Sequence, residues 1–403
     1  MQAPTQKQVL QGSASEVFRA FLKLGVSSFG GPIAHLGYFR DELVIRRGWI
    51  DEKSYADLIA LCQFLPGPAS SQVGFALGLH RAGTLGALAA WTAFTLPSAI
   101  LLFAFALGAS CLDNPAGQGV VAGLKTVAVA IVAQAVWGMA RTLAPDRTRA
   151  SIALAAAVAV ALIAGSVGQI AAILVGAAAG LVFCRGGRDV GAEPLAFPIS
   201  KRSGAAALAV FAVLLVGLPA ASALTGAQAA GVVETFYRAG ALVFGGGHVV
   251  LPLLETGVVR PGWVEPDTFL AGYGAAQAVP GPLFTFAAYL GAALKPEPNG
   301  LEGAAIALVS IFLPGFLLLV GTIPFWNALR ARPSAQAAMR GTNAAVVGIL
   351  AAALYDPVFT GGVTDGLHFA LAAVSFVLLT VWHTPPWIVV LLSAAVGLAL
   401  GLL

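Results

Sequence analysis

The chain has 403 residues, of which 58% are hydrophobic and only 10% are charged, and its mean hydropathy is +0.87. Soluble domains carry about a quarter charged residues, so the composition excludes a soluble globular protein. The formal net charge of +4 is ordinary for a membrane protein, because cytoplasmic loops collect Lys and Arg, and it does not indicate a nucleic-acid partner.

Long apolar segments follow one another along the chain. They cover residues 84–110, 149–184, 203–221, 300–328 and 386–403. A bilayer-spanning helix needs about 20 apolar residues, so the pattern predicts an all-α polytopic membrane protein. The cysteines Cys62, Cys111 and Cys184 stand far apart, and no metal-ligand or cofactor motif occurs. We therefore expect no metal and no cofactor.

The first half of the sequence returns in the second half. Five blocks recur in the same order with an offset of about 214 to 218 residues. The pairs are Lys23–Gly31 with Arg238–Gly246, Gly48–Asp51 with Gly262–Glu265, Gln63–Pro68 with Gln277–Pro282, Gly83–Pro97 with Gly300–Pro314, and Gly123–Lys125 with Gly341–Asn343. This repetition predicts a duplicated unit, with repeats at 1–200 and 201–403 joined near 185–230.

The distribution of Lys and Arg orients the segments. Loops 35–55, 141–149, 185–202 and 329–340 are rich in these residues, and loops 111–119, 222–231 and 356–367 have none. Basic loops stay in the cytoplasm, so segment 84–110 runs outward and its mate 300–328 runs inward, with segment 203–221 as the odd crossing between them. The two repeats are therefore predicted to be inverted, an arrangement typical of secondary transporters that bind substrate near the midplane.

Two segments in each half do not fit a simple crossing. Residues 17–34 contain Gly30-Gly31-Pro32 and residues 56–80 contain Pro66-Gly67-Pro68, and two full crossings here would put the basic loop 35–55 outside. We expect both segments, and their mates at 236–252 and 268–292, to be broken or re-entrant. Such backbone is tolerated at membrane depth only when it is buried in protein or lines a polar cavity. Including these segments, the chain has about 10 to 13 membrane segments.

The broken segments form the candidate substrate site. Pro removes a helical hydrogen bond and consecutive glycines free backbone N–H groups, so four broken helices would aim their N-terminal ends at an anion. The alternative is that these residues are packing kinks, since Gly and Pro are common in membrane helices. Neutral polar side chains nearby would hold a dianion without trapping it, or would bond to helix carbonyls instead.

The candidate substrate-binding residues extend over all four breaks. Two histidines close to them, His35 and His248, either titrate near neutral pH or serve as satisfied hydrogen-bonding residues. The residues in the breaks themselves are Ser27, Ser28, Phe29, Gly30, Gly31, Gln63, Pro66, Gly67, Pro68, Phe244, Gly245, Gly246, Gly247, Gln277, Pro280, Gly281, Pro282 and the nearby Thr285.

Charged residues in or near the apolar segments are further candidates. Lys125 precedes a long apolar run, where a charge is expensive and by default functional, although its side chain can also snorkel to the interface. Its mate in the second half is the neutral Asn343, so the halves would contribute differently to the site. Lys23 and Arg238 share one repeat position as auxiliary charges, and they either attract the anion or mark the end of a segment.

These motifs resemble those of the chromate ion transporter family in its long, two-domain form. The resemblance rests on Phe29–Pro32, Gly48–Ile50, Gln63–Pro68 and Gly123–Lys125 with their second-half echoes, over residues 16–142 and 234–356. It implies a bacterial inner-membrane protein that exports chromate and confers chromate resistance, with sulfate as a competing or exchanged ion. Because Gly247 replaces Pro32 and Asn343 replaces Lys125, two equivalent sites are not expected.

Physical considerations agree with the export of a small anion. An inside-negative potential favours outward movement by about 2.3 kcal/mol per charge per 100 mV, and no nucleotide-binding P-loop occurs. We therefore expect a secondary carrier or a uniporter rather than an enzyme. The alternatives are a sulfate or other oxyanion carrier, an anion channel, an intramembrane enzyme and a scaffold subunit. The expected partners are the anion and the lipid bilayer, and the sequence leaves a homodimer open.

Overall fold

A computed structural model describes residues 12–108, 114–163, 165–185, 197, 199–244, 246–330 and 332–402. Over these residues the chain folds into helices and contains no strand. Five of the helices are long and apolar enough to cross a membrane. The predicted all-α polytopic membrane fold is therefore confirmed.

The described residues of the first half form seven α-helices. They are α1 (Ala14–Ser27), α2 (Gly31–Phe39), α3 (Glu52–Phe64), α4 (Ala69–Gly108), α5 (Pro115–Leu143), α6 (Arg147–Leu162) and α7 (Ser166–Phe183). A π-helical turn, Arg40–Arg46, continues α2. Side chains of Ser13, Asp51, Asn114 and Asp146 accept first-turn N–H groups, which sets the starts of α1, α3, α5 and α6.

The second half follows a connecting helix, α8 (Lys201–Thr225). Its helices are α9 (Gln228–Leu242), α10 (Val250–Leu254), α11 (Pro266–Ala276), α12 (Phe286–Ala292), α13 (Gly300–Thr322), α14 (Trp326–Arg330), α15 (Pro333–Ala353), α16 (Thr360–Gly362), α17 (Gly366–Thr380) and α18 (Pro386–Leu402). Short 3-10 turns at Gly247–Val249 and Leu283–Thr285 lead into α10 and α12, and Ile323–Phe325 follows α13. The π-helical turns Glu255–Val259 and Leu354–Phe359 follow α10 and α15.

The segments predicted to be broken are helical hairpins. Helix α1 packs along α4, and the ring of Phe21 in α1 lies edge to face with that of Phe39 in α2 at 5.4 Å. Helix α4 turns at Gly83, which has φ +66°, and before that turn Arg81 returns to Glu16 at the start of α1, with N···O 3.1 Å. The re-entrant path of these segments and the cytoplasmic position of the basic loop 35–55 stay predictions.

Five helices are long and apolar enough to cross a membrane, namely α4, α5, α8, α13 and α15. The shorter α6, α7, α17 and α18 pack along α15 or α5. If each of α4 to α8 crosses the membrane once, an odd number of crossings separates the hairpins of the two halves, and the second half is inverted as predicted. Helix α8 lies at the periphery, since none of its apolar window is buried.

The last two helices of each half pack on the other half. Gly180 of α7 abuts the carbonyl oxygen of Ala337 in α15, and Gly397 of α18 abuts that of Gly119 in α5, both too closely to admit a Cβ. Helices α6 and α17 also pack on the opposite half, α6 on α15 and α17 on α5. The halves are therefore interlocked, and the core runs through both of them.

Candidate functional site

Four chain breaks lie between the re-entrant helices. In the first half α1 ends at Ser27, the following Ser28 is extended, and α2 begins at Gly31, which has φ +80°. Gly67 has φ +121° between α3 and α4. The equivalent second-half glycines, Gly246 and Gly281, have φ +147° and +103°. Each break thus needs a residue without a Cβ, because L-residues avoid this region.

The breaks pair reciprocally across the two halves. The backbone N–H of Gly67 donates to the carbonyl of Val243 at 2.7 Å, and that of Gly281 donates to the carbonyl of Ser28 at 2.9 Å. Gly67 and Gly281 are repeat mates, and so are Ser28 and Val243. The Pro-Gly-Pro turn of each half therefore closes the break of the other half, around a pseudo-twofold axis.

Close packing at the breaks also crosses between the halves. A Cβ on Gly67 would lie 3.1 Å from Gly315 Cα in α13, and a Cβ on Gly281 would lie 2.8 Å from Ser98 Oγ in α4. Nearer the axis, Pro32 is the neighbour of Gly247, since a Cβ there would lie 3.6 Å from Pro32 Cγ. These contacts explain why small residues occupy the turns, and they bring the breaks into one centre.

Buried polar side chains line this centre on the first-half side. His35 is 1% exposed, and its Nδ1 lies 3.3 Å from Ser70 Oγ, so the first turns of α2 and α4 adjoin. Gln72 is fully buried, and its Nε2 donates to the carbonyls of Pro66 at 3.1 Å and Gly315 at 2.9 Å. The amide of Gln72 therefore ties the first-half turn to the second-half helix α13.

Several of these buried polar groups have no hydrogen-bond partner in the described protein. They are Ser28 Oγ, His35 Nε2, Ser71 Oγ, Gln72 Oε1 and Thr95 Oγ1 on the first half, and Gln277 Nε2 and Asn343 Oδ1 on the second. Leaving such a group unpaired costs about 1–3 kcal/mol, and native proteins leave few. A concentration of unpaired groups at one place is what a binding site for a polar ligand has.

The second half presents apolar groups at most of the equivalent positions. Val250, Phe284, Phe286, Phe312 and Gly315 stand where the first half has His35, Ser70, Gln72, Thr95 and Ser98. Ser71 is the exception, because its mate is the buried Thr285, whose Oγ1 donates to the Pro282 carbonyl at 2.7 Å. The first-half residues Ser70, Ser71, Gln72, Thr95 and Ser98 were not predicted, because single hydroxyl and amide residues are ordinary in apolar helices. Comparison of the repeats position by position would have found them.

Some predicted site residues lie at the edge of the centre. Ser27 is exposed, and its Oγ donates to the Lys23 carbonyl of its own helix at 2.8 Å. Gln63 is exposed, whereas Gln277 is half-buried. Phe29 contacts Trp387 of α18, with ring centroids 5.8 Å apart. The predicted Gly245 lies outside the described residues.

Lys125 lies away from the breaks. Its Nζ forms an ion pair with Asp267 Oδ1 at 2.6 Å, and the Lys125 side chain is 13% exposed while that of Asp267 is 69% exposed. Asp267 is in the first turn of α11, so the pair joins α5 of the first half to a re-entrant hairpin of the second. The repeat mates of these residues, Asn343 and Lys53, do not have opposite charges.

The auxiliary charges Lys23 and Arg238 also have carboxylate partners. Lys23 lies 3.0 Å from Glu42, which Arg46 and Arg47 contact too, and Arg238 lies 2.8 Å from Glu234. Burial alone would raise the pKa of Glu42, but hydrogen bonds from Arg46, Arg47 and Lys23 outweigh burial and lower this pKa to about 2. The cluster of Lys23, Glu42, Arg46 and Arg47 keeps an excess of positive charge.

His248 is engaged within the second half. Its Nδ1 lies 2.7 Å from Tyr273 Oη, a contact between the residue following the break and α11. His248 does not share a repeat position with His35, whose mate is Val250. The two histidines therefore make different contacts, and His35 is the one beside the first-half hydroxyl groups, with Nδ1 3.3 Å from Ser70 Oγ.

Comparison with known proteins agrees with the repeat and its breaks. A family model described as chromate transporter matches residues 15–181 and 230–398. The chromate transport protein of Pseudomonas aeruginosa is 29% identical, over 96% of this chain and 92% of the relative. The probable chromate transport protein of Synechococcus elongatus is 29% identical, over 85% of this chain and 84% of the relative. The chromate transport protein of Cupriavidus metallidurans is 28% identical, over 83% of this chain and 80% of the relative.

No solved structure matches the chain. The two matched ranges of the family model cover each half from its first re-entrant hairpin to its last helix, and they leave the connecting helix α8 between them. Together they account for well over half of the sequence. The chain is a multi-pass membrane protein, and it belongs to the chromate transporter family.

Proposed function

We propose that this protein is a secondary transporter that exports chromate from the cytoplasm across the bacterial inner membrane and thereby confers chromate resistance. The observation that carries the proposal is the group of buried, unpaired polar atoms on the first-half face of the reciprocal breaks. Relatives named as chromate transport proteins support the choice of substrate. The absence of a P-loop motif from the sequence favours a carrier driven by gradients.

The anion site is built from helix starts and hydroxyl groups. Helix α2 begins at Gly31 without a side-chain cap, and Ser70 and Ser71 stand in the first turn of α4. First-turn N–H groups have no intrahelical acceptor, and a helix start carries about half a positive charge. With the hydroxyls of Ser28, Ser71 and Thr95, these groups would hold a dianion by neutral donors, from which it can be released.

Most of the predicted break residues keep a place in this proposal. We propose that Ser28, Gly31, Gly67 and Gly281 shape the site directly, and that Gln277 donates from the second half. The turn and break residues Phe29, Gly30, Pro66, Pro68, Phe244, Gly246, Gly247, Pro280 and Pro282 hold its backbone. Lys23, Lys125 and Arg238 act at a distance from the breaks through their ion pairs. His248 acts beside the second-half break through Tyr273, and Asn343 offers an unpaired amide oxygen from α15.

The same geometry bears on the choice of ion. Chromate and sulfate are both tetrahedral dianions, and hydroxyl and N–H donors recognise that shape and charge without distinguishing the central atom. Sulfate is therefore the competing or exchanged ion in our proposal. The inside-negative potential acts on either ion in the outward direction, by about 4.6 kcal/mol for two charges at 100 mV.

Flux measurements on proteoliposomes test the proposal. Protein reconstituted with chromate inside should release it with saturable kinetics, faster when the chromate-containing side is negative, and external sulfate should compete or exchange. Empty liposomes and the Pro66-Gly67-Pro68→Ala-Ala-Ala variant serve as controls. Large currents that do not saturate would indicate the alternative, an anion channel. Sulfate flux without chromate flux would mean that the transported ion is sulfate, and the proposed anion site would be kept.

A further inference from the structure

An apolar groove runs between α6 and α7, on the outside of the interlocked bundle. Its volume is about 430 Å³, and its walls consist almost entirely of small apolar residues, including Ala155, Ala159, Ala171, Val175 and Ala179. Ligand pockets typically measure about 300–1,000 Å³. None of the break residues lines the groove.

The groove has a charged end and an apolar end. Thr148 at the start of α6 and Phe183 at the end of α7 line the end that faces the basic cytoplasmic loops. Arg147 precedes Thr148, Arg185 follows Phe183 by two residues, and both are exposed. Among the described carboxylates, none pairs with either arginine, and Asp146 is engaged by Arg149.

The groove is longer than the hydrocarbon thickness of one leaflet of a bilayer. From Thr148 to Ile163 it follows α6 for 15 residues, which is about 22 Å at 1.5 Å per residue. One leaflet contributes about 15 Å of hydrocarbon. An acyl chain whose headgroup lies at the cytoplasmic surface would therefore stay in the groove along its whole length.

We propose that this groove binds an anionic phospholipid of the cytoplasmic leaflet, with one acyl chain between α6 and α7 and the phosphate beside Arg147 and Arg185. Charge complementarity selects this occupant. A second copy of the chain placed by a twofold axis along the membrane normal would bring the same arginines together, and like charges oppose that arrangement. The lipid stabilises the α6–α7 hairpin on α15, and the inference does not depend on the transported ion.

Lipid binding to the purified full-length protein tests the inference, with native mass spectrometry in detergent as the measurement. Phosphatidylglycerol and phosphatidylcholine are the probes. Each arginine near an anionic surface changes the affinity by about fivefold, so Arg147→Gln with Arg185→Gln should weaken phosphatidylglycerol binding by about 25-fold and leave phosphatidylcholine almost unchanged. Arg202→Gln, an exposed cation at the start of α8, is the matched control.

A second variant tests the groove separately from the headgroup. Ala155→Phe places a ring in the groove from an exposed position and should abolish retention of both lipids, whereas Ala373→Phe on the exposed side of α17 should not. Equal wild-type binding of the two lipids would overturn the role of the arginines. Undiminished binding to Ala155→Phe would overturn the groove assignment, and a dimer that Ala155→Phe dissociates would make a second copy the occupant.

Discussion

The two halves of this transporter share a backbone plan at the centre but differ in the side chains that they place there. The reciprocal bonds from Gly67 to Val243 and from Gly281 to Ser28 are nearly equal, at 2.7 and 2.9 Å. Around them the first half carries buried hydroxyl, amide and imidazole groups, whereas the second half carries aromatic rings in place of Ser70, Gln72 and Thr95.

The difference shows which features the duplicated unit needs in both copies. Glycines with positive φ recur in pairs: Gly31 with Gly246, Gly48 with Gly262, Gly67 with Gly281, and Gly83 with Gly300. Side chains are not paired in this way. Phe316 stacks on Phe75 at 4.3 Å, and Phe312 packs edge to face on Trp91. We infer that the second half supplies an apolar wall and the first half supplies the polar contacts.

The largest expected effect comes from the shared backbone. Gly67→Ala and Gly281→Ala each force an L-residue to positive φ, which costs about 1–2 kcal/mol, and each adds a contact of 3.1 Å or less. We expect both variants to lose chromate flux at least 100-fold and to unfold at lower temperature. Gly217→Ala on α8, where no heavy atom lies within 4 Å of the added Cβ, should leave both properties unchanged.

Proteoliposome flux and thermal unfolding in detergent measure these effects. Because the two bonds are reciprocal, the two alanine variants should be impaired alike. Wild-type flux in either one would mean that the pairing is needed in only one direction.

A smaller effect is expected from the polar face. Ser71→Ala and Thr95→Val each remove one hydroxyl with an unpaired oxygen, and a hydrogen bond to a charged ligand contributes about 1.5–3 kcal/mol. The KM for chromate should therefore rise at least tenfold in each variant. Thr126→Val is the control, because that hydroxyl bonds to the carbonyls of Ala122 and Gly362 outside the centre.

The second-half mate of Thr95 makes this test a comparison. Phe312→Leu changes the apolar wall without removing a hydrogen-bond donor to the anion, so the KM for chromate should rise less than it does in Thr95→Val. If Phe312→Leu raises the KM as much as Thr95→Val does, then the polar face is not where the anion binds.

Much of this architecture could be predicted from the sequence because backbone needs leave a residue signature. Gly and Pro at matched positions predicted the breaks, and the distribution of Lys and Arg predicted their re-entrant path. The exchange of α6–α7 and α17–α18 between halves could not be predicted, since helix packing depends on shape and small residues such as Gly180 and Gly397 fit many partners. The depth of Lys125 was equally undetermined, because its partner Asp267 lies 142 residues away.

The pair between Lys125 and Asp267 offers a third test of asymmetry. Lys125→Ala should lower chromate flux by about tenfold or less, because an ion pair with one exposed partner contributes modestly. Exchanging the charges, with Lys125→Asp and Asp267→Lys together, should recover most of that flux if the pair acts by joining α5 to α11. A double variant as impaired as Lys125→Ala would show that the lysine acts on the anion itself.

The smallest expected effect concerns pH and the Glu42 cluster, which the second half lacks because the mate of Glu42 is Gly257. The pKa of Glu42 is lowered from 4.5 to about 2 by its three cationic partners. A lowered pKa means that, as the pH falls, the unfolded chain binds the proton before the folded protein does. This contribution to stability is therefore present above about pH 4.5 and is lost as the pH falls towards 2.

Thermal unfolding temperatures in detergent between pH 6 and pH 3 should therefore fall less steeply for Glu42→Gln than for the wild type, although Glu42→Gln is the less stable protein at pH 6. Glu302→Gln, an exposed carboxylate at the start of α13, should follow the wild-type slope. Equal slopes for Glu42→Gln and the wild type would mean that the cluster does not hold the carboxylate charged, and the first half would then lose one of the features that set it apart from the second.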